Sequence, residues 1–235
     1  QSLETLTSQN VKVNAADING LTNPVKVDNE KLNKVKDHQA GGNAPFLMFM
    51  PIWIGSIVTS ILLFFAFRTS NNIVVQHRII ASIGQMIFAV VAAFAGSFVY
   101  IYFMQGVQGF DFDHPNRIAI FVAFAILGFV GLILGFMVWL GMKSVPIFFI
   151  LMFFSMQLVT LPKQMLPESY QKYVYDWNPF THYATSVREL LYLNHHIELN
   201  STMWMFIGFM IFGAVSSLVS AIVRKHSTKR TEVPS

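Results

Sequence analysis

Few residues in this chain are of types that do chemistry. Asp111, Asp113 and His114 share the run GFDFDHPN, and His182, His195 and His196 lie further on. Carboxylates and imidazoles are metal ligands, but a metal site needs them to converge, and these spacings match no zinc or calcium pattern. A solvated Asp-rich turn is the expected state of GFDFDHPN, and no metal or cofactor is expected. Glu168 and Glu189 have no evident pocket to hold them as a general acid–base pair. No Ser sits in a nucleophile-elbow context. The chain has no GxxxxGK[ST] loop, so ATP hydrolysis is expected of some other chain. With zero Cys, thiolate chemistry and disulfides are excluded. The expectation is a protein that is not an enzyme.

The stretch best suited to shape a site is Leu161 to Leu193. From Pro167, the residues Tyr170, Tyr173, Val174 and Trp177 fall on one helical face. A second start follows at Asn178-Pro179, where Asn can cap free N–H groups and Pro is pre-set for the first helical position. Phe180, Tyr183, Ala184, Val187, Leu190 and Leu191 then repeat at steps of three and four. Thr181, His182, Thr185, Ser186, Arg188 and Glu189 take the other face. Two short amphipathic helices rich in Tyr and Trp are predicted, a re-entrant or surface-lying hairpin at a bilayer interface.

Composition sets the surroundings. Of 235 residues 54% are hydrophobic and only 12% charged, about half the charged share of a soluble domain. The apolar residues gather in five charge-free runs: 46–67, 79–104, 118–142, 145–161 and 203–223. At about 1.5 Å per residue, the first crosses a hydrocarbon core of about 30 Å. Pro51 would kink it or begin it. Only Lys143-Ser144 separates the third run from the fourth, which predicts adjacent antiparallel helices. Residues 1–45 are polar; they suit either strands of a larger domain or a disordered tether. The chain opens on Gln with no signal-peptide pattern, so a C-terminal piece of a longer protein is expected.

Basic residues orient the whole. Arg68, Arg78, Lys143, Arg224, Lys225, Lys229 and Arg230 fall on one side, whereas the short opposite loop 105–116 has no Lys or Arg. The long hairpin adds Lys163, Lys172 and Arg188, but long loops count for less. The first side is the predicted cytoplasm, which makes the hairpin and residues 1–45 extracytoplasmic and the tail 224–235 cytoplasmic. The net charge of +4 thus reflects topology and is no sign of nucleic-acid binding. The reading is an all-α integral membrane protein with five transmembrane helices, an extracytoplasmic helical hairpin over 162–200, and a polar extracytoplasmic segment before them.

Inside the spans, Gln85 and Gln157 must face protein or a cavity, because an unpaired amide costs several kcal/mol in hydrocarbon. A helix-to-helix hydrogen bond is the simpler role; lining a translocation path is the sharper one. Small residues four apart (Ala92 and Gly96, Gly131 and Gly135, Gly213 and Ser217) suit close helix packing. No charge lies within a span, which disfavours a proton-driven carrier. The loop RTSNNIVVQHR, from Arg68 through Asn72 and His77 to Arg78, is basic at both ends. It can anchor helix ends at anionic headgroups or dock on a cytoplasmic motor.

The pattern LPKQMLP, then Asn178-Pro179-Phe180 and Arg188, resembles the membrane domain of ABC-2-type permeases. More narrowly it is similar to the C-terminal region of the YhgE/Pip group, with NPVKV and GGNAPF matching in style. The resemblance implies that the five spans are the second to sixth helices of a permease half. It also implies that Arg68, Asn72, His77 and Arg78 belong to an ATPase-coupling loop, and that Pro167, Trp177, Asn178, Pro179 and Arg188 belong to an outer gate. It implies a homodimer or hetero-oligomer in membrane lipid, exporting substrate with a separate ABC ATPase. The YhgE/Pip group also includes phage receptors of Gram-positive bacteria and the EsaA-type accessory component of type VII secretion. A non-transporting envelope scaffold working with secretion machinery is therefore the alternative.

Overall fold

The computed structural model describes residues 44–69, 73–161, 163–176, 178–192 and 200–223. Expectations for the polar segment before residue 44 and for Arg224 onward lie outside the described residues. Contacts divide the chain at residue 34, and everything described here belongs to the unit Val35–Ser235.

All described elements are helical. Helix α1 spans Ala44–Ala66 and carries Pro51 inside it. Helix α2 is Val75–Gly106, longer at both ends than the apolar run that predicts it. Helix α3 is Pro115–Leu140, with Pro115 in its first turn. A 3-10 turn, Gly141–Ser144, leads into α4, Val145–Thr160. Gly141 adopts φ 63°, a conformation that costs glycine nothing, and breaks the helix axis there. After a second 3-10 turn at Lys163–Met165 come α5, Glu168–Tyr173, and α6, Pro179–Tyr192. Helix α7, Ser201–Val223, closes the described chain, and Asn200 caps it by accepting from Met203 N at 3.1 Å.

Four stretches are long and apolar enough to cross a membrane: Phe46–Ala66, Val75–Gly106, Pro115–Met156 and Ser201–Val223. The third takes in both α3 and most of α4, which are two helices joined by the 3-10 turn. Alone, the 16 residues of α4 measure about 24 Å, short of a hydrocarbon core of about 30 Å. Nor do α3 and α4 lie together along their lengths as predicted. They meet beside the turn, where the rings of Phe136 and Phe148 are 5.9 Å apart. Beyond it α4 packs mainly against α1 and α6. Trp53 of α1 donates to the Phe148 carbonyl at 3.3 Å.

Helix α3 is the axis of the bundle, packed on α1, α2 and α7. Its pairing with α7 depends on glycine. A Cβ on Gly131 would stand 2.7 Å from the Phe209 carbonyl, and one on Gly213 would overlap the Gly131 carbonyl. The two backbones therefore touch, as small-residue spacing predicts for helices in lipid. Polar stitches reinforce the seam. Trp139 Nε1 donates to Ser216 Oγ at 2.7 Å, and Ser216 Oγ donates to the Gly135 carbonyl at 2.7 Å. The Ala92/Gly96 pair differs: a Cβ on Gly96 would meet open space, so Gly96 marks no close approach of another described helix.

Candidate functional site

Helix α6 does not lie on a surface; it is inserted among α1, α3, α4 and α7. Its apolar face is the predicted one, and Phe180, Tyr183, Ala184 and Val187 are all buried. The Phe180 ring stands 4.5 Å from Trp53, 5.0 Å from Phe49 and 5.8 Å from Phe129. Tyr183 lies 6.0 Å from Phe129 and 6.1 Å from Phe121, and Phe206 of α7 closes on Phe129 at 5.4 Å. Edge-to-face pairs at such spacings add to what burial alone contributes. Phe129 sits midway along α3, so the start of α6 reaches mid-bundle. At its other end, Leu190 and Leu191 share a small pocket with Asp111, His114 and Ile118. The helix thus climbs from the interior to the end of the bundle where α2 gives way to α3.

Capping explains how a helix can start there. Phe180 N donates to Asn178 Oδ1 at 2.9 Å, while Asn178 Nδ2 donates to Ser155 Oγ of α4 at 3.0 Å. One buried amide thus satisfies the helix start and ties it to a neighbour. Pro179 follows in the first position, where its missing N–H is no loss. Thr181 and Ser186, predicted on the polar face, are buried as well. Thr181 Oγ1 donates to the Asn178 carbonyl at 2.7 Å, and Ser186 Oγ donates to Thr202 Oγ1 of α7 at 3.0 Å. Burial thus reaches past the apolar face, which amphipathic spacing alone does not foretell, while His182, Thr185, Arg188 and Glu189 remain partly exposed. Arg188 donates from its guanidinium to the Val159 carbonyl in the last turn of α4. A cation suits the negative end of a helix.

The hydroxyl of Tyr183 is the exception in this cluster. It is buried and has no hydrogen-bond partner among the described residues. A buried unsatisfied polar group costs about 1–3 kcal/mol. Tyr183→Phe is therefore expected to melt at the wild-type temperature or above it in detergent, and a clear fall would show that the hydroxyl has a partner.

Other candidates are placed as follows. Pro167 stands exposed at the cap of α5. Lys163 pairs with Asp176 at 2.6 Å, but with 40% and 67% of the two side chains exposed the link contributes little. Trp177, Asn72, His195 and His196 lie outside the described residues, as does the Gln157 side chain on α4. Gln85 is 6% exposed and donates from Nε2 to the Leu63 carbonyl of α1 at 3.2 Å, the helix-to-helix bond expected of it. Arg68, just past α1, and His77, in the first turn of α2, are exposed, whereas Arg78 of α2 is buried. Arg68 lies over the Phe64 ring at 5.9 Å. Among the described residues no three His, Cys, Asp or Glu side chains cluster as metal ligands would. The aromatic wall of Phe49, Trp53, Phe129 and Phe206 and the anchor Ser155 were not singled out from sequence. Phe and Trp within apolar runs look alike whether they face lipid or protein.

These helices define a multi-pass membrane protein whose core is closed by the inserted helix α6. Compared with known families, residues 1–219 match ABC-2 family transporter protein, and the chain belongs to that family. It is a membrane permease component of an ABC-type system, and such permeases usually work in lipid with a separate ATPase. No curated protein and no solved structure matches the chain.

Proposed function

We propose that this chain is the membrane subunit of an export system of YhgE/Pip type, working as a dimer with a separate ATPase. The observation that carries the reading is the insertion of α6. A helix capped at mid-bundle and rising to one end supports a gate at that end. The opposite end holds Arg68 and Arg78, beside Val138 near the end of α3 and Ala221 near the end of α7. Lys and Arg distribution makes that end the cytoplasmic one and the end of α6 the outer one. There the loop between α1 and α2 meets the ATPase. Arg68 and His77 are available on its surface, and Arg78 holds its base from within.

Purification of the full chain from its native membranes tests this. An ATP-binding cassette protein should co-purify. Its yield should fall about tenfold in an Arg68→Ala, His77→Ala double variant, the loss expected when about 1.4 kcal/mol of contact is removed. Insertion should not change. Unchanged co-purification would sink the coupling role, and recovery of secretion proteins without any ATPase would favour the scaffold. Lys172→Cys should react with an impermeant thiol reagent from outside the cell, and Ser227→Cys only after the membrane is opened.

A further inference from the structure

Two cavities along α2 and α7 share residues, and their chemistry differs. The deeper one is a cleft of about 250 Å³ between α2, α3 and α7. Ala89, Val130, Leu134, Met210 and Ala214 make its walls apolar, and its polar side chains are Gln85 and Ser217. The second, nearer the end of the bundle, is also lined by Gln85 and Ser217. Its charged lining residues are both arginines, Arg68 and Arg78, accompanied by Thr69, Ser82 and Ser220. Arg78 lines this pocket and is only 3% exposed, so its side chain stays within the bundle and does not reach out to bulk solvent. An apolar slot thus continues through a polar collar into a cationic pocket, all within one groove of a membrane bundle.

We propose that this groove binds an anionic phospholipid, its phosphate on Arg78 and Arg68 and one acyl chain along the cleft. Guanidinium groups match phosphate oxygens in geometry and charge, and they tolerate partial burial better than ammonium groups. Basic pockets between transmembrane helices are suited to such headgroups. The hydroxyls of Ser82 and Ser220 already donate to the Ser217 and Val138 carbonyls, so Thr69 is the lining residue whose hydroxyl can add a donor beside the arginines. Gln85 Nε2 gives one of its two hydrogens to Leu63, which leaves the other to donate to an ester carbonyl of the glycerol backbone. The cleft falls just below the 300 Å³ or so of the smallest small-molecule pockets, which fits part of one chain and excludes a bulky solute. The same charge pattern would hold a free phosphate, but a free ion leaves the apolar slot without a purpose. The proposal does not rest on the export reading, because it needs only that this end of the bundle lie at a headgroup layer.

Native mass spectrometry of the full chain, delipidated and then titrated with dioleoyl lipids, decides it. Phosphatidylglycerol should be retained about tenfold better than phosphatidylcholine, the ratio one charge-assisted contact supports. Arg78→Gln should bring the two lipids level. Arg78→Lys, which keeps the charge but loses the fork, should fall between. Ala214→Phe, which fills the cleft from its rim, should lower retention of phosphatidylglycerol with both arginines intact. Inorganic phosphate at millimolar concentration should not displace the lipid. Equal retention of the two lipids by the wild type, undiminished phosphatidylglycerol in Ala214→Phe, or displacement by phosphate would each overturn the proposal. Should Arg78→Gln fail to fold, the lipid ratio, Ala214→Phe and the phosphate competition still decide the outcome.

Discussion

Gly213→Val is expected to leave little folded protein in the membrane, and whatever is extracted should melt well below the wild type. The added Cβ would run into the Gly131 carbonyl, and the atoms in its way are backbone, which cannot step aside by changing rotamer. Overpacking in a core that can adjust costs about 1–3 kcal/mol; here the helices themselves must part, so about 3 kcal/mol is the floor. Parting α3 from α7 would also strain the Trp139–Ser216–Gly135 stitch and pull Phe206 from Phe129. Gly96→Val is the matched control. The same change there meets open space, and the effect on the melt should stay within about 0.5 kcal/mol, as at ordinary surface sites. Equal melting of the two variants would show that the α3–α7 backbones do not touch. Collapse of both would mean that a helix from outside this chain packs on Gly96.

That contrast shows what sequence could and could not reveal. Three small-residue pairs look alike on paper, yet Gly131, Gly135 and Gly213 press on a neighbour and Gly96 faces open space. Spacing shows which residues share a face; it does not show what lies opposite. The hairpin was legible for a different reason. Asn178-Pro179 carries its own start signal, and Phe180, Tyr183, Ala184 and Val187 keep helical phase, so the element and its buried side follow from local physics. Its depth does not. Surface-lying and inserted helices share the same amphipathic pattern when the walls around them are apolar, and the burial of Thr181 and Ser186 depends on partners brought from α7 and from the turn before α6. The short α4 is a case where the bounds are legible: the helix fills the apolar run to Thr160, and the chain then turns toward α5 and α6. Arg78 is the opposite case. Beside a helix end it reads as a surface anchor, but the turn of α2 points it into the bundle.

The second large effect is expected at the foot of α6. Asn178→Ala removes the cap on Phe180 N and leaves Ser155 Oγ without its buried partner. A lost cap costs about 0.5–2 kcal/mol and a stranded buried group about 1–3, so a loss of about 2–4 kcal/mol follows. Ser155→Ala alone strands the Asn178 amide instead and should cost about 1–3 kcal/mol. Because both changes break one bond, the double variant should be less destabilised than their sum, with a coupling of about 0.5–3 kcal/mol in denaturation of the full chain in detergent. Additive losses would mean that the amide and the hydroxyl do not meet. The coupling matters for transport because this bond fixes the foot of α6 to α4, while the Arg188 bond to Val159 joins the same two helices further along α6. A gate that swings on its foot must keep that foot fixed. If α6 opens the outer end, its upper turn near Leu190 should exchange amide protons faster than the turn at Phe180, and Asn178→Ala should erase the difference by freeing the lower end as well.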